Sequence, residues 1–185
     1  MLAVAEEVFG ERGYQATSMD EIAARVGVTK PMLYEYFGSK DGLLRACLQR
    51  ARQQLLDRTR DAVVAGGGPR DVVQRAVQAF FEFVDDHAAA WSVLQNESAL
   101  AGGAGGEEIE VIRRQQSEHT QALLAGLPGG AALGVLDLQV RAEIVIGACE
   151  RVAVWRAVQD RPPSAQQAAT LVMDALWPGL LAPPG

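Results

Sequence analysis

The chain has 185 residues, 49% of them hydrophobic and 22% charged, which argues against global disorder and allows one ordinary domain or two smaller ones. Its formal charge of −6 does not favour a nucleic-acid binder at first sight. The acidity is uneven, however, because residues 1–60 carry a net +1 and residues 61–185 a net −7. A local basic surface in the N-terminal part is therefore compatible with the composition.

Cysteine content and hydropathy indicate the compartment. Cys47 and Cys149 are too few for a metal cluster, and they predict reduced thiols in the cytosol, with a redox switch as the alternative. The first residues lead straight into an amphipathic pattern that contains Glu6 and Glu7, unlike a signal peptide. No apolar run approaches the ~20 residues needed to span a bilayer. We therefore expect a cytoplasmic protein that has no membrane partner.

Helical periodicity runs through almost the whole chain, and sustained strand alternation is missing. Gly13 can end a first helix. Ser18 and Glu21 form an S-x-x-E capping box for a second helix, which Gly27 ends. The apolar spacing of the first helix comes from Leu2, Ala5, Val8 and Phe9.

A third short helix follows directly. Thr29 is its predicted cap, and Pro31 is tolerated in the first turn, where no helical N–H is needed. Leu33 and Phe37 form its inward pair, and Gly38 ends it. Two short helices joined by a glycine turn make a helix-turn-helix, whose second helix can enter the major groove of DNA.

The remainder is predicted to be helical too. Ser39 caps a fourth helix from Lys40 to about Val64, and a GGGP break follows at residues 66–69. The glycines of residues 101–108 are expected to be a linker, since a phosphate loop would need a following lysine and a preceding strand. The next predicted helix has an apolar face that runs from Val73 to Val84. Four later helices are predicted over about residues 87–100, 107–124, 137–159 and 164–177.

The helix around residues 140–158 is apolar on most of its circumference, which predicts burial on two sides. A dimer interface explains this pattern, and the alternative is the central core helix of a monomer. Candidate interface residues on this helix and the last one are Val140, Ile144, Gly147, Ala148, Arg151, Ala168, Val172, Ala175 and Leu176.

Lys30 and Lys40, the two lysines of the chain, both stand at the first position of a predicted helix. A cation there opposes the helix dipole by a few tenths to ~1 kcal/mol, so the placement breaks a local rule. A bound DNA phosphate would resolve the conflict, whereas two solvated lysines are the bland explanation. Tyr34 and Tyr36 cannot both be buried on so short a helix, so at least one hydroxyl should face outward.

The segment VFGERGYQATSMDEIAARVGVTKPMLYEYFGSKDGLL resembles the DNA-binding region of the TetR family of bacterial repressors, the TetR/AcrR type, from about Leu2 to Cys47. The resemblance implies that Thr29 to Met32 face base edges or nearby phosphates. Other residues would hold the DNA backbone. The DNA-contact candidates are Thr17, Ser18, Thr29, Lys30, Pro31, Met32, Tyr34, Tyr36 and Lys40.

The resemblance also implies an architecture and a function. The fold would be all-α, with about nine helices: a helix-turn-helix DNA-binding domain at residues 1–46 and a ligand-binding and dimerisation domain at residues 47–185. A homodimer would bind an inverted-repeat operator in double-stranded DNA as a repressor, and a small molecule would release it. The rival hypothesis is a helical small-molecule-binding dimer with weak or lost DNA binding.

The family usually has a basic arm before the first helix, but here Met1 begins inside the helical pattern. This predicts either a trimmed start or fewer charged contacts.

An effector site would be an apolar cavity with a few polar groups. If Glu97 and Glu150 line this cavity, it would suit a cationic or hydrogen-bonding ligand. Trp91 and Trp155 would instead suit an acyl or aromatic ligand. The tryptophans and His119 also have the plainer explanation of core or surface residues. No catalytic or metal-binding motif occurs, so neither an enzyme nor a cofactor is expected. The effector candidates are Phe80, Val84, Trp91, Leu94, Gln95, Glu97, Ile112, Gln116, His119, Glu150 and Trp155.

Overall fold

The computed structural model describes residues 1–64, 67–95 and 106–181, without the side chains of residues 93–95 and 106–112. Within these ranges the chain forms nine α-helices and no β-strand, which confirms the predicted fold class. No helix in the described ranges has both the length and the apolar character that crossing a membrane requires. The helices are α1 Leu2–Ala16, α2 Met19–Val26, α3 Lys30–Phe37, α4 Lys40–Val64, α5 Pro69–Asp86, α6 Ala88–Gln95, α7 Gly106–Ala125, α8 Val135–Arg156 and α9 Ala165–Leu180.

The helix boundaries follow the predicted capping residues in most places. Ser39 accepts a hydrogen bond from the N–H of Gly42 at 2.9 Å, as predicted for the start of α4. Gly13 does interrupt α1, where its φ of 75° kinks the helix. The predicted helix over residues 87–100 is described only as α6, because residues 96–100 lie outside the described ranges. The last helix continues beyond the predicted end at Trp177 and includes Pro178.

The chain forms two compact units, and each unit is made of two separate stretches of sequence. Unit 1 comprises Met1–Leu55 and Asp86–Ile112, and unit 2 comprises Leu56–Asp85 and Arg113–Gly185. The helix α4 therefore begins in unit 1 and ends in unit 2. The predicted functional boundary after residue 46 stays a prediction, since a compact unit need not coincide with a functional domain.

Unit 1 packs α1, α2, α3, α6 and the first half of α4 around one apolar core. Gly10 of α1 lies against α6 so closely that an added Cβ atom would be 3.1 Å from the Cα atom of Ala89. A larger residue at position 10 would require the backbone of α6 to shift by a few tenths of an ångström. The fully buried apolar side chains of this unit include Ala5, Val8, Ile22, Leu33, Leu43 and Cys47.

Unit 2 is held by apolar packing of α5, α8 and α9 and by polar links between them. Gln74 of α5 donates a hydrogen bond to Thr170 of α9 at 3.2 Å. Arg141 of α8 donates to the carbonyl oxygens of Gly179 and Leu180 at 2.6 and 2.7 Å, which places a cation at the C-terminal end of α9. The buried side chains of the three helices include Val73, Val77, Phe81, Val145, Cys149, Ala169 and Met173.

Glu6 is a buried carboxylate between α1 and α4. One oxygen lies 3.4 Å from Arg50, and the other is buried with no hydrogen-bond partner in the described part of the chain. Burial raises the pKa of Glu6 above the ordinary 4.5, although the nearby Arg50 lowers it. The charged form is therefore less favourable in the folded chain than in the unfolded chain, and this cost disappears as pH falls through the folded-state pKa.

Replacing Glu6 with glutamine is expected to raise the free energy of unfolding at neutral pH, because glutamine removes the cost of burying a charge. The gain should shrink as pH falls towards 4.5, where Glu6 is increasingly protonated in the folded chain. Urea denaturation across that pH range measures the effect, with Glu7→Gln at the neighbouring exposed position as the control. A gain that did not vary with pH would contradict the assigned cause.

Candidate functional site

The turn between α2 and α3 fixes the orientation of the third helix. Gly27 takes the left-handed conformation with φ 79° and donates its N–H to the carbonyl oxygen of Ala23 at 3.0 Å. Thr29 stands at the predicted cap position, but its side chain makes no capping hydrogen bond, so that part of the prediction was wrong. Leu33 is fully buried and anchors α3 on the core of unit 1.

The side of α3 away from Leu33 is exposed over its whole length. Met32 is 40% exposed, Tyr34 43% and Tyr36 65%. Neither tyrosine hydroxyl has a hydrogen-bond partner among the residues that the structure describes. Both aromatic rings thus lie at the surface, whereas the shortness of the helix had predicted this for at least one of them. Lys30 and Pro31 at the start of α3 are exposed as well.

Lys30 has a partner that sequence reasoning missed. Its ammonium group lies 2.8 Å from a carboxylate oxygen of Asp20, which stands in the first turn of α2. The hydrogen bond to Asp20 raises the pKa of Lys30. Both side chains are largely exposed, so the pair contributes little to stability and water or a phosphate can compete for the ammonium.

Lys40 is bound more firmly than Lys30. Its ammonium donates a hydrogen bond to the carbonyl oxygen of Thr17 at 2.8 Å and lies 4.3 Å from the centre of the Tyr14 ring. The Tyr14 hydroxyl in turn donates to Asp41, the next residue of α4. Lys40 therefore joins the start of α4 to the end of α1. An ammonium has three N–H donors, so one hydrogen bond leaves capacity for a further acceptor.

Thr17 and Ser18 differ although they are adjacent. The side chain of Thr17 is buried, and its hydroxyl donates to the carbonyl oxygen of Gly13 at 2.8 Å. The expectation that Thr17 contacts DNA therefore needs correction for its side chain, because this hydroxyl stabilises the end of α1. Ser18 is exposed, and its oxygen accepts a hydrogen bond from the N–H of Glu21 at 3.2 Å. The second half of the predicted capping box is missing, because the Glu21 carboxylate pairs with Arg12 at 2.8 Å instead of accepting from the backbone N–H of Ser18.

The effector candidates fall in different parts of the chain. Trp91 is buried in unit 1. Leu94 and Gln95 follow it in α6, but their side chains are not among those that the structure describes. Glu97 lies outside the described residues, as does the side chain of Ile112. The candidates in unit 2 are Phe80, Val84, Gln116, His119, Glu150 and Trp155.

Within unit 2 these candidates differ in exposure. Phe80 is buried, with its ring centre 5.2 Å from that of Phe81 in an edge-to-face arrangement. Burial lowers the pKa of His119, and the charge of Arg60 acts in the same direction. Trp155 is 45% exposed, which places it on the surface of the protomer and not in its core. Val84, Gln116 and Glu150 are half-buried.

Within the described protomer one face of the helix α8 is buried, and burial of its other face by a partner subunit stays a prediction. Val140 is 50% exposed and Ile144 49%, while Gly147 and Arg151 are exposed nearby and Ala148 is half-buried. In α9 two candidate interface residues need correction, because Ala168 and Val172 are buried inside unit 2. Leu171 is a large apolar residue of that helix that is exposed, at 64%; Ala175 is exposed and Leu176 is half-buried.

Arg156 is a buried charged residue that sequence reasoning did not single out. It donates to Asp85 of α5 at 3.0 Å and to the carbonyl oxygen of Pro163 at 2.9 Å. Its guanidinium carbon lies 5.3 Å from the centre of the Phe81 ring. Arg156 thus joins α8, α5 and the segment before α9, so its role is structural. Its position at the end of an apolar helix was the available signal.

Two family models match separate parts of the chain. Bacterial regulatory proteins of the tetR family match residues 1–47, and the tetracyclin repressor-like C-terminal domain matches residues 69–179. Among curated relatives, the transcriptional activator FasR of Mycolicibacterium smegmatis is 42% identical over 94 residues, 51% of this chain and 43% of FasR. The repressor KstR2 of Mycobacterium tuberculosis is 32% identical over 117 residues, 63% of this chain and 58% of KstR2. The chain therefore spans about half the length of these two relatives.

Solved structures match over nearly the full length. A TetR-like regulator from Rhodococcus sp. RHA1 is 34% identical with a TM-score of 0.75, covering 97% of this chain and 92% of that one. The regulator FadR of Bacillus subtilis, solved with stearoyl-CoA, has a TM-score of 0.83 at 18% identity, with 98% and 97% covered, which shows a shared fold. The chain therefore belongs to the TetR family of bacterial regulatory proteins, which are transcriptional regulators and not enzymes.

Proposed function

We propose that this protein is a ligand-responsive repressor that binds an inverted-repeat operator as a homodimer in the cytoplasm and is released by a small molecule. The observation that carries the proposal is the exposure of Met32, Tyr34 and Tyr36 on α3, while Leu33 of the same helix is fully buried in the core. A short helix fixed on a core with its outer side open has the geometry of a recognition helix.

Phosphate contacts would come from side chains around this helix. The hydroxyls of Tyr34, Tyr36 and Thr29 would donate to phosphate oxygens, since none of them serves as a cap or internal donor in the described chain. Lys40 has N–H donors beyond the one given to Thr17. Lys30 would exchange Asp20 for a phosphate, which costs little because the pair is exposed.

The direction of regulation and the effector rest on relatives. KstR2 is named a repressor and FasR an activator, so the family allows both modes. FadR of Bacillus subtilis was solved with stearoyl-CoA, and this shared fold makes acyl-CoA thioesters the first effectors to test. An effector that weakens DNA binding by some factor must itself bind more weakly to the DNA complex by the same factor.

A second candidate function is a helical small-molecule-binding dimer that has lost DNA binding. The observation in its favour is that both lysines of the chain are engaged internally, Lys30 with Asp20 and Lys40 with Thr17. The two functions differ in the salt dependence of DNA affinity. Each phosphate neutralised contributes about −0.9 to the slope of log affinity against log salt, so a DNA regulator shows a steep slope.

Selection from a random duplex library at low and moderate salt tests the proposed function. We expect recovery of an inverted repeat whose half-sites are about one helical turn or somewhat more apart. Adding acyl-CoA thioesters to the resulting complex then tests release. No enrichment at either salt concentration would favour the dimer without DNA binding.

Replacing Tyr36 with phenylalanine is expected to reduce operator affinity by roughly a hundredfold or more, because a hydrogen bond to a charged group, worth about 1.5 kcal/mol or more, is lost in each of the two half-sites. The loss should be similar for specific and random DNA, since a phosphate contact carries no sequence information. Electrophoretic mobility shift at fixed salt measures it. Tyr14→Phe is the matched control, because the Tyr14 hydroxyl is already bound to Asp41 and its removal should affect stability more than affinity. Equal losses in affinity for the two variants would contradict the assignment.

A further inference from the structure

The charged side chains of α2 make their ion pairs with two different helices. Glu21 and Arg25 pair with residues of α1, at 2.8 and 2.7 Å. Asp20 instead pairs with the first residue of α3, because one of its carboxylate oxygens lies 2.8 Å from the ammonium group of Lys30. Asp20 therefore stands beside the N-terminal end of α3, the end that a recognition helix directs to the bases.

Lys30 has an unusual weight in this DNA-binding region. Within α3, which the structure describes completely, it is the one cation. Residues 1–47 together contain five Lys/Arg and seven Asp/Glu, a net charge of −2. General attraction between this region and the DNA polyanion is therefore weak, and each cation that reaches a phosphate has a large effect on affinity. Whether Asp20 occupies Lys30 then matters for binding.

Asp20 and a DNA phosphate compete for Lys30. If the ammonium group held both, each anionic oxygen would lie at hydrogen-bonding distance from one nitrogen, which brings the two oxygens within about 6 Å of each other. This separation is shorter than the screening length of about 8 Å at physiological salt, so salt does not remove their repulsion. A phosphate must therefore displace the carboxylate to gain the full contact with Lys30.

The result of this competition depends on how closely the phosphate approaches. The side chains of Asp20 and Lys30 are 69% and 45% exposed, so the ion pair between them is weak. A phosphate held in direct contact, with α3 seated in the major groove, displaces the carboxylate. On random DNA the protein slides and hops, so phosphates pass at larger and changing distances and the pair stays closed.

We propose that Asp20 is a specificity-determining residue, which shields Lys30 from the phosphates of random DNA and releases it to a phosphate of the operator. The inference rests on the proposed function and adds a means of discrimination that needs no contact between Asp20 and a base. A phosphate contact by itself carries no sequence information. Here it gains some, because the contact forms only where the base contacts of α3 hold the helix in its final position.

Replacing Asp20 with asparagine in the full chain tests the shield, because asparagine keeps the side-chain size and removes the charge. Affinity for a random duplex should rise roughly tenfold or more near 0.1 M salt, and the slope of log affinity against log salt should steepen by about 0.9 per subunit. Affinity for the inverted repeat recovered by selection should rise much less, with its slope nearly unchanged, because Lys30 contacts a phosphate there in both proteins. Fluorescence anisotropy over a salt series measures both slopes.

Removing the lysine gives the complementary result. Lys30→Gln should weaken binding to the inverted repeat but leave binding to random DNA almost unchanged, because the shielded ammonium contributes nothing to the latter. In the double variant D20N/K30Q the effect of Asp20→Asn on the random-DNA slope should disappear. Glu7→Gln, the same charge change at an exposed position of α1, is the control and should alter both affinities by a similar small factor.

Three outcomes would overturn the role of Asp20, and they differ in what else they overturn. An Asp20→Asn effect of equal size with and without Lys30 would mean simple repulsion between Asp20 and DNA. Equal gains on the inverted repeat and on random DNA would remove the discrimination while leaving the proposed function intact. A wild-type chain that binds no duplex at any salt concentration would overturn the proposed function and the role of Asp20 together.

Discussion

Replacing Gly42 with alanine is expected to lower the free energy of unfolding by about 3 kcal/mol, which is at the upper end of overpacking effects. We expect the same substitution to reduce DNA affinity as well. Gly42 lies in the first turn of α4, where an added Cβ atom would stand 1.9 Å from the carbonyl oxygen of Phe37, the last residue of α3. Backbone cannot rotate away as a flexible side chain can. The turn at Gly38 and Ser39 must therefore shift, and α3 shifts with it.

Urea denaturation and operator binding measure the two effects of Gly42→Ala. Gly179→Ala is the matched control, because Gly179 is also helical and no atom lies within 4 Å of its added Cβ. We expect that control to change stability by less than about 1 kcal/mol, the range of helix propensity between glycine and alanine. If Gly42→Ala were as stable as its control, the close approach of α3 and α4 would be disproved.

Replacing Arg156 with alanine is expected to cost about 3 kcal/mol of unfolding free energy. The change removes a half-buried ion pair, a hydrogen bond to Pro163 and the packing of the guanidinium on Phe81 together. Arg156→Met keeps most of the side-chain volume, so it separates the packing contribution from the polar one. Thermal or chemical unfolding of the two variants gives both contributions.

The partner of Arg156 should be less sensitive. The Asp85 side chain is 48% exposed, so Asp85→Asn leaves a group that water can still solvate, and a cost of about 1 kcal/mol is expected. Arg161→Ala, at an exposed position in the following loop, is the control and should be close to neutral. A loss for Asp85→Asn as large as that for Arg156→Ala would mean that the ion pair dominates over packing.

Local signals were sufficient to predict most of the helical architecture. Ser39 and Gly27 act at the positions where the sequence placed them, because a cap or a left-handed turn depends on residues only a few positions apart. The helix-turn-helix followed from the same signals, and the resemblance to a known family extended them to function. The length of α3 alone predicted that at least one of Tyr34 and Tyr36 is exposed, and both are.

Contacts between residues distant in sequence could not be predicted in this way. The pairs Lys40–Thr17 and Arg156–Asp85 join residues 23 and 71 positions apart, and no periodicity indicates which helix meets which. The burial of Ala168 and the exposure of Leu171 could not be predicted either. An apolar helix has several faces that could be buried, and only its packing against other helices determines which one is. The effector region was the least predictable, because a binding site is assembled from many elements at once.

The order in which unit 1 is synthesised has a consequence for folding. Helices α1 to α3 leave the ribosome well before α6, yet α1 packs directly against α6 at Gly10 and Ala89. During synthesis the face of α1 around Gly10 therefore stays uncovered until the chain has extended past residue 95. A fragment that stops before α6 carries the whole helix-turn-helix but lacks part of its support, so nascent chains of this length should be preferred substrates for chaperones and proteases.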